Sequence, residues 1–365
     1  GEVHPEVAKN LTGLGTVQIA RGVYAGADSL LQQALKINLQ SLPPNHPELA
    51  RTYSSLAWVW NLLGNYHKAD TLYRKAIAIQ TINNNPELGI TLNSLALLMH
   101  EMNRYDQADI YFRQSLDILR KNYGEIHPEV ATTMYNHAQL LRDMDNMDEA
   151  IVMHRKVLDM DRKLHGEEHP DVAYSLNGLA SILLNIGNLE EAETLYRQAL
   201  AMLRKILGEN HPDVGYNFNS LGRLLLRKKK YTEANQLFFK ALEIDKNAYG
   251  TEHQAIARTL KNIGWAYYHL EDYPRSKKYL NDAVAMCQKT LGEAHFTTAN
   301  TRMFLAKTLA ATKEYEQAIE LAEKSLDTAI ELLGENHSFS TVCMRNLANI
   351  YRASGDDAQA ETTLT

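Results

Sequence analysis

Histidine recurs in this chain at a fixed interval. His4 and His46 stand 42 residues apart, and each of His127, His169, His211, His253, His295 and His337 stands 42 residues from the next. Asn85-Pro86 bridges the two sets, 39 residues after His46-Pro47 and 42 before His127-Pro128. A regular period of this size marks stacked supersecondary units that share a core with their neighbours. The stretch "LGENH" occurs twice, at 207–211 and 333–337. A glutamate two residues before a histidine would suit an acid–base pair or a metal fragment, but neither has reason to recur at every joint. The stretch reads as a helix stop, a short turn and a helix start.

Counting each repeat from the residue after that histidine gives blocks at 5–46, 47–85, 86–127, 128–169, 170–211, 212–253, 254–295, 296–337 and a truncated 338–365, expected to form a single array over 1–365. Column 11 is Gly or Ala in all nine blocks, from Gly15 to Ala348, and column 23 is Ala except for Ser276. Small residues at both columns let two helices approach closely. Column 10 is aliphatic except for His137, and column 20 is Tyr at Tyr24, Tyr66, Tyr105, Tyr231, Tyr273 and Tyr315. A polar break at columns 18 and 19, as in Gly64-Asn65 or Gly187-Asn188, separates a helix A from a helix B. Helix B ends at a column-39 glycine (Gly124, Gly166, Gly208, Gly250, Gly292, Gly334, and Gly1 of a preceding unit), which is expected to take the left-handed conformation. Proline then opens the next helix A, with an acid after it near the positive helix end. This leaves the histidine at the N-cap, where a ring nitrogen would accept a backbone N–H. Proline is missing after His253, His295 and His337, so those joints are expected to be the least regular.

Composition agrees with an all-α chain: Pro (9) and Gly (19) are sparse among 365 residues, and helix formers abound. The charge of −6 argues against a nucleic-acid partner. No apolar run is long enough to span a membrane, and the first ten residues lack the order of a secretory signal. Cys287 and Cys343 stand far apart, which fits a reducing, cytoplasmic setting.

The stretches "DVAYSLNGLASILLNIGNLEEAETLYRQAL" (171–200) and "ELGITLNSLALLMHEMNRYDQADIYFRQSL" (87–116) carry the tetratricopeptide pattern at columns 10, 11, 14, 18, 20, 23, 27 and 30. With the 42-residue period and the "LGExHPDVA" linker, the whole chain resembles the kinesin light chain type of that repeat, although no coiled-coil heptad region is present. The resemblance implies an α-solenoid of stacked helix-turn-helix repeats, a right-handed superhelix whose A helices line a concave groove through columns 5, 8, 12, 15 and 16. It also implies a column-8 asparagine that hydrogen-bonds the backbone of a bound extended peptide. Asn93, Asn177 and Asn219 match, while Tyr135, Lys261, Met303 and Arg345 are among the positions that depart.

Those groove columns hold ten basic residues, including Arg142, Arg223, Arg227, Arg258, Lys261, Lys307 and Arg345, against two acids, Glu101 and Asp143. Trp58, Tyr135, Tyr174, Tyr216, Trp265 and Tyr268 are interleaved with them. A basic concave face on an acidic protein favours an anionic partner, and Trp, Tyr and Arg are the usual anchors of interfaces. The plainer reading is that columns 12 and 15 pack between repeats and the charges are solvated. The function expected is a non-catalytic scaffold for an acidic, extended protein segment, with no cofactor and no metal. The alternative is a regulatory arm of a larger signalling protein, motivated by ends that fall at column 39 and inside a helix B.

Three other features carry less. "RKKK" (227–230) is a short basic run at an A–B turn, read as solvated. His137 and His154 replace core residues among several methionines in the fourth repeat, which would suit a soft metal but fits packing better. "GLGTVQIARG" (13–22) lacks the preceding strand that a dinucleotide loop needs, and no hydrolase, protease or kinase motif occurs.

Overall fold

The computed structural model describes residues 4–364, all of whose regular elements are α-helices. Gly1, placed by the period at a linker glycine, and Thr365 lie outside them. Two compact units divide at Ile186 and Gly187. The first holds α1 (Pro5–Ala20), α2 (Tyr24–Ser41), α3 (Pro47–Leu62), α4 (Tyr66–Ile82), α5 (Leu88–Glu101), α6 (Tyr105–Tyr123), α7 (Pro128–Asp143), α8 (Met147–His165) and α9 (Pro170–Asn185). The second holds α10 (Leu189–Leu207), α11 (Pro212–Arg227), α12 (Tyr231–Tyr249), α13 (Gln254–His269), α14 (Tyr273–Leu291), α15 (Phe296–Ala311), α16 (Tyr315–Leu333), α17 (Ser338–Ser354) and α18 (Asp357–Thr362). Odd-numbered helices are the A helices and even-numbered ones the B helices. Within each unit an A helix packs on its own B helix, and that B helix packs on the next A. Successive A helices also touch one another, so the A side is the closely spaced side of each stack.

The joints explain the period. All eight repeated histidines are N-caps, with Nδ1 accepting the backbone N–H two residues on, at 3.0–3.2 Å. Asn85 makes the equivalent bond through Oδ1, to the N–H of Glu87 at 2.9 Å. Contrary to the expectation from the missing prolines, the caps of α13, α15 and α17 are kept at 3.1, 3.0 and 3.0 Å. The cap uses the second amide of the helix, so the residue at the first position is free to vary. The joint that departs is Asn85-Pro86, after which α5 starts only at Leu88.

The column-39 glycines also differ from expectation. Gly124 has φ 86° and ψ 175°, and Gly208 has φ 85° and ψ 164°, which is a mirror-extended conformation rather than left-handed helix. That region is essentially closed to any residue with a Cβ. Left-handed φ appears instead at column 18, in Gly22, Gly64, Gly187 and Gly355 but also in Asn103, Asp145, Lys229, Glu271 and Lys313.

Columns 11 and 23 are sealed. Ala57, Ala96, Ala138, Ala306 and Ala348 at column 11 and Ala69, Ala108, Ala150, Ala318 and Ala360 at column 23 are all without exposed surface. At Gly222 a methyl group would sit 2.5 Å from the Phe238 ring, so this position has no room for a Cβ. Cys287 and Cys343 are buried free thiols. Among the described residues no helix is long and apolar enough to cross a membrane.

The caps make stability sensitive to acid. The His253 ring titrates below the ordinary imidazole range, chiefly because it is buried and also because of the Arg258 charge. Its neutral form caps α13, so this stability is complete above the ordinary value and is lost as pH falls through the lowered one. We expect His253→Asn to preserve the cap, as Asn85 does, and to flatten the decline in thermal unfolding temperature between pH 7 and 5. An unchanged decline would show that this ring does not contribute.

Candidate functional site

In the second unit, α11, α13 and α15 bring the sequence-derived groove residues together. Arg258 of α13 lies over the Tyr216 ring of α11, with its guanidinium carbon 5.1 Å from the centroid. One turn further, the Lys261 ammonium stands 5.4 Å from the Phe304 centroid of α15. Lys307 of α15 reaches back over Trp265 of α13 at 5.8 Å. Trp265 is stacked on Tyr268 (4.6 Å, 10°) and meets Phe304 edge-on at 4.8 Å. Three adjacent A helices thus present three cations on a continuous aromatic floor, with Arg223 of α11 close enough to act on Lys261 electrostatically.

The electrostatics are unbalanced. Burial, with the Arg223 and Arg258 charges adding to it, pulls the Lys261 ammonium down to about 8. Burial also lowers Lys307. Among the described residues, no carboxylate forms an ion pair with Arg223, Arg258, Lys261 or Lys307. Several other cations of the same unit are neutralised: Arg197 pairs with Glu193, Arg204 with Glu209, Lys277 with Glu314, Lys324 with Glu320 and Arg302 with Glu293, while Lys240 and Lys278 lie over the Phe218 and Tyr279 rings. The middle of "RKKK" is neutralised too, since Lys228 bonds Glu190 and Glu193 at 2.7 and 2.8 Å. Arg227 and Arg345 are exposed and stand outside this contact set.

The asparagines are placed otherwise than a peptide clamp would need. Asn93 and Asn219 are buried, and each Oδ1 accepts from an asparagine on the next A helix, Asn136 and Asn262, at 3.1 Å in both cases. Asn219 Nδ2 donates to Thr259 Oγ1 at 2.8 Å, so both ends of this carboxamide are engaged within the chain. Asn177 is also buried. Column 9, which supplies Asn136, Asn262 and Phe304, was not among the groove columns. Its residues are small or polar in every repeat but one, and that lack of aliphatic side chains was the available signal.

In the first unit the groove cations have partners. Arg51 bonds Glu48 and Glu87 at 2.6 and 2.9 Å, and Arg142 bonds Asp143 at 2.7 Å. Burial acts to raise the Asp143 carboxyl, but hydrogen bonds from His100 and Arg142 outweigh it and hold it at about 2. His137 is buried, 2.6 Å from Asp109 and stacked on Phe112. His154 is buried against Gln139 and Tyr135, and burial lowers its ring to about 4. Both rings therefore serve as packing residues with one polar partner each. The group whose donor atoms could converge on a metal lies elsewhere, at His165, His169 and Asp171. Tyr135 and Tyr174 border a cavity in this unit.

These features define a helical-repeat binding protein, and comparison with known families agrees. The tetratricopeptide repeat model matches residues 6–82, 61–121, 129–205, 171–247, 214–289 and 297–365. The chain belongs to the tetratricopeptide repeat family. No curated protein matches its sequence. Among solved structures, BtubC (BKLC) from P. vanneervenii is similar at 21% identity and TM-score 0.52, over 60% of this chain and 88% of that one. A signal transduction ATPase of the STAND type with a tetratricopeptide repeat sensor, from Pyrococcus horikoshii, aligns at 15% identity and TM-score 0.53, over 92% of this chain and 51% of that one. A Rap protein complexed with competence and sporulation factor aligns at 13% identity and TM-score 0.52, over 96% and 99%. At these identities the likeness is one of fold.

Lys261 carries a measurable cost. A lysine held at about 8 instead of 10.5 is destabilised in its charged form by on the order of 3 kcal/mol. That cost is complete below pH 8 and fades as pH rises toward the unfolded value. Lys261→Met should therefore raise stability at pH 7 by about 1–3 kcal/mol, and the gain should shrink between pH 8 and 10. Denaturant titrations at both ends of this range check it. A loss of stability at pH 7 would overturn the electrostatic reading.

Proposed function

We propose that the chain is a non-catalytic scaffold that holds an extended, acidic segment of a partner protein against α11, α13 and α15. One observation carries this reading: Arg258, Lys261 and Lys307 lie on aromatic rings of the A helices with no carboxylate at ion-pair distance, while Arg302 on α15 and Arg197 and Lys277 on the B helices are paired. Crowded like charges that lower one another's proton affinity are stabilised by an arriving anion. The rings supply contact area that a flexible segment buries at little further entropic cost, and arginine adds paired hydrogen bonds to carboxylates. In this reading Arg223, Arg258, Lys261 and Lys307 bind carboxylates, and Tyr216, Trp265 and Tyr268 take apolar side chains between them. Asn219 and Asn262 hold neighbouring A helices in register behind the surface. Arg227 and Arg345 extend the positive field beyond the contact set, and Asn93 plays the corresponding part in the first unit.

Titration of the chain with a capped peptide alternating Glu and Tyr, followed by Trp265 fluorescence and calorimetry, tests the reading. Arg258→Glu and Lys261→Glu should each weaken binding at least tenfold, and raising salt from 0.05 to 0.5 M should weaken it by a similar factor. Affinity should also fall above pH 8, where free Lys261 loses its proton. Binding that ignores salt and both reversals would exclude an acidic ligand on this face.

A further inference from the structure

The first unit contains a cavity with the opposite chemistry. A space of about 210 Å³ opens between α7, α8 and α9, lined by Tyr135, Asp161, His165, Asp171, Tyr174 and Ser175 among others. Asp161 is 6% exposed and accepts a short hydrogen bond from Ser175, which is itself buried. Its carboxyl is raised chiefly by burial and further by the charge of Asp171, against the lowering effects of Ser175, His165 and His169. Two carboxylates therefore line this space with two tyrosines, and Asp171 Oδ2 also lies 3.2 Å from His165 Nε2 and 3.5 Å from His169 Nδ1.

The repeat itself shows what such a place accommodates. Asp161 occupies column 34, and among the other repeats only Asp245 puts a carboxylate in that column. The two joints share their frame: Ser175 bonds Asp161 as Thr259 bonds Asp245, the latter at 2.8 Å. They differ at column 5 of the following A helix. At the Asp245 joint that residue is Arg258, whose charge favours ionised Asp245 and whose guanidinium lies over Tyr216. At the Asp161 joint it is Tyr174, and column 2 contributes a second carboxylate, Asp171, where the other joint has Ala255. A buried carboxylate demands a nearby positive charge, and the chain provides an arginine at one joint but not at the other.

We propose that this cavity is a binding site for a guanidinium group, held by Asp161 and Asp171 and flanked by Tyr135 and Tyr174. Carboxylate pairing and ring faces together select a flat, delocalised cation. The His165 ring forms part of its wall, with the His169 ring packed against it. They stack at 4.2 Å and 15°, as Tyr123 and His127 do at 4.4 Å and 14° and Tyr249 and His253 at 3.9 Å and 10°. His169 Nδ1 accepts the Asp171 N–H. This aromatic-on-cap packing is common to the joints, so the pair is arranged for helix capping and not for chelation. The site is built from residues of the first unit alone.

Agmatine, acetyl-Ala-Arg-Ala-amide and the citrulline analogue of that tripeptide are the probes, titrated into the whole chain by NMR and calorimetry. We expect one or both cations to bind, with shifts on Tyr135 and Tyr174, and the neutral citrulline peptide to bind at least tenfold more weakly. Preference for agmatine would identify a free guanidinium compound as the ligand, and preference for the tripeptide an arginine side chain of a partner. Tyr174→Arg, which copies the Asp245 joint, should abolish binding and raise the unfolding temperature, whereas Asp161→Asn should weaken binding at least tenfold. Because Asp161→Asn affects a buried group, Tyr174→Arg is the decisive variant. The proposal is overturned if no cation binds at millimolar concentration, if citrulline binds equally well, or if Tyr174→Arg binds as the wild type does. It is likewise overturned if zinc binds the His165 pair and leaves no response to either cation.

Discussion

Each A helix begins where an imidazole or, once, a carboxamide takes up an amide proton that the helix cannot satisfy by itself, and the placement of every other side chain follows from that register. The cap fixes where helix A starts. At six joints a glycine three residues earlier, from Gly124 to Gly334, fixes where the previous helix B stops, because the mirror-extended backbone there admits no Cβ. Between these two points columns 11 and 23 must stay small, since their Cβ atoms lie where two helices meet. Stability in such a stack is shared between neighbours, so local errors in register spread only to the adjoining repeats.

The fold was legible because periodicity reports backbone geometry directly. A histidine, a proline and a glycine at fixed spacing describe a joint, and small residues at fixed columns describe the hairpin that follows. Two details were not legible. The last three joints keep their caps without proline, because the bond comes from the amide beyond it. The glycine conformation was also different, since sequence shows that Cβ is excluded but not which Gly-only region is used.

The candidate site was read less completely, and the reason is electrostatic. Sequence columns place Arg258, Lys261 and Lys307 on one face, but they do not say which charges find partners. Arg142 and Arg51 belong to the same columns, yet Asp143, Glu48 and Glu87 neutralise them. The difference between a paired and an unpaired cation depends on residues one repeat away, beyond the reach of a column count. The asparagines illustrate the same point. Asn93 and Asn219 were assigned to a ligand by resemblance, but each contributes its oxygen to a ladder between adjacent A helices.

The histidine caps also dictate the internal chemistry of their rings. With Nδ1 accepting an amide proton, each ring must carry its own hydrogen on Nε2, so a single neutral tautomer is selected at every one of these positions. Anything that claims the Nδ1 lone pair, whether a proton, a metal ion or an alkylating reagent, competes with the first turn of a helix. Eight of the chain's 14 histidines are thereby held in reserve by the backbone, and chemical modification of these rings would register as unwinding before it registered as lost binding.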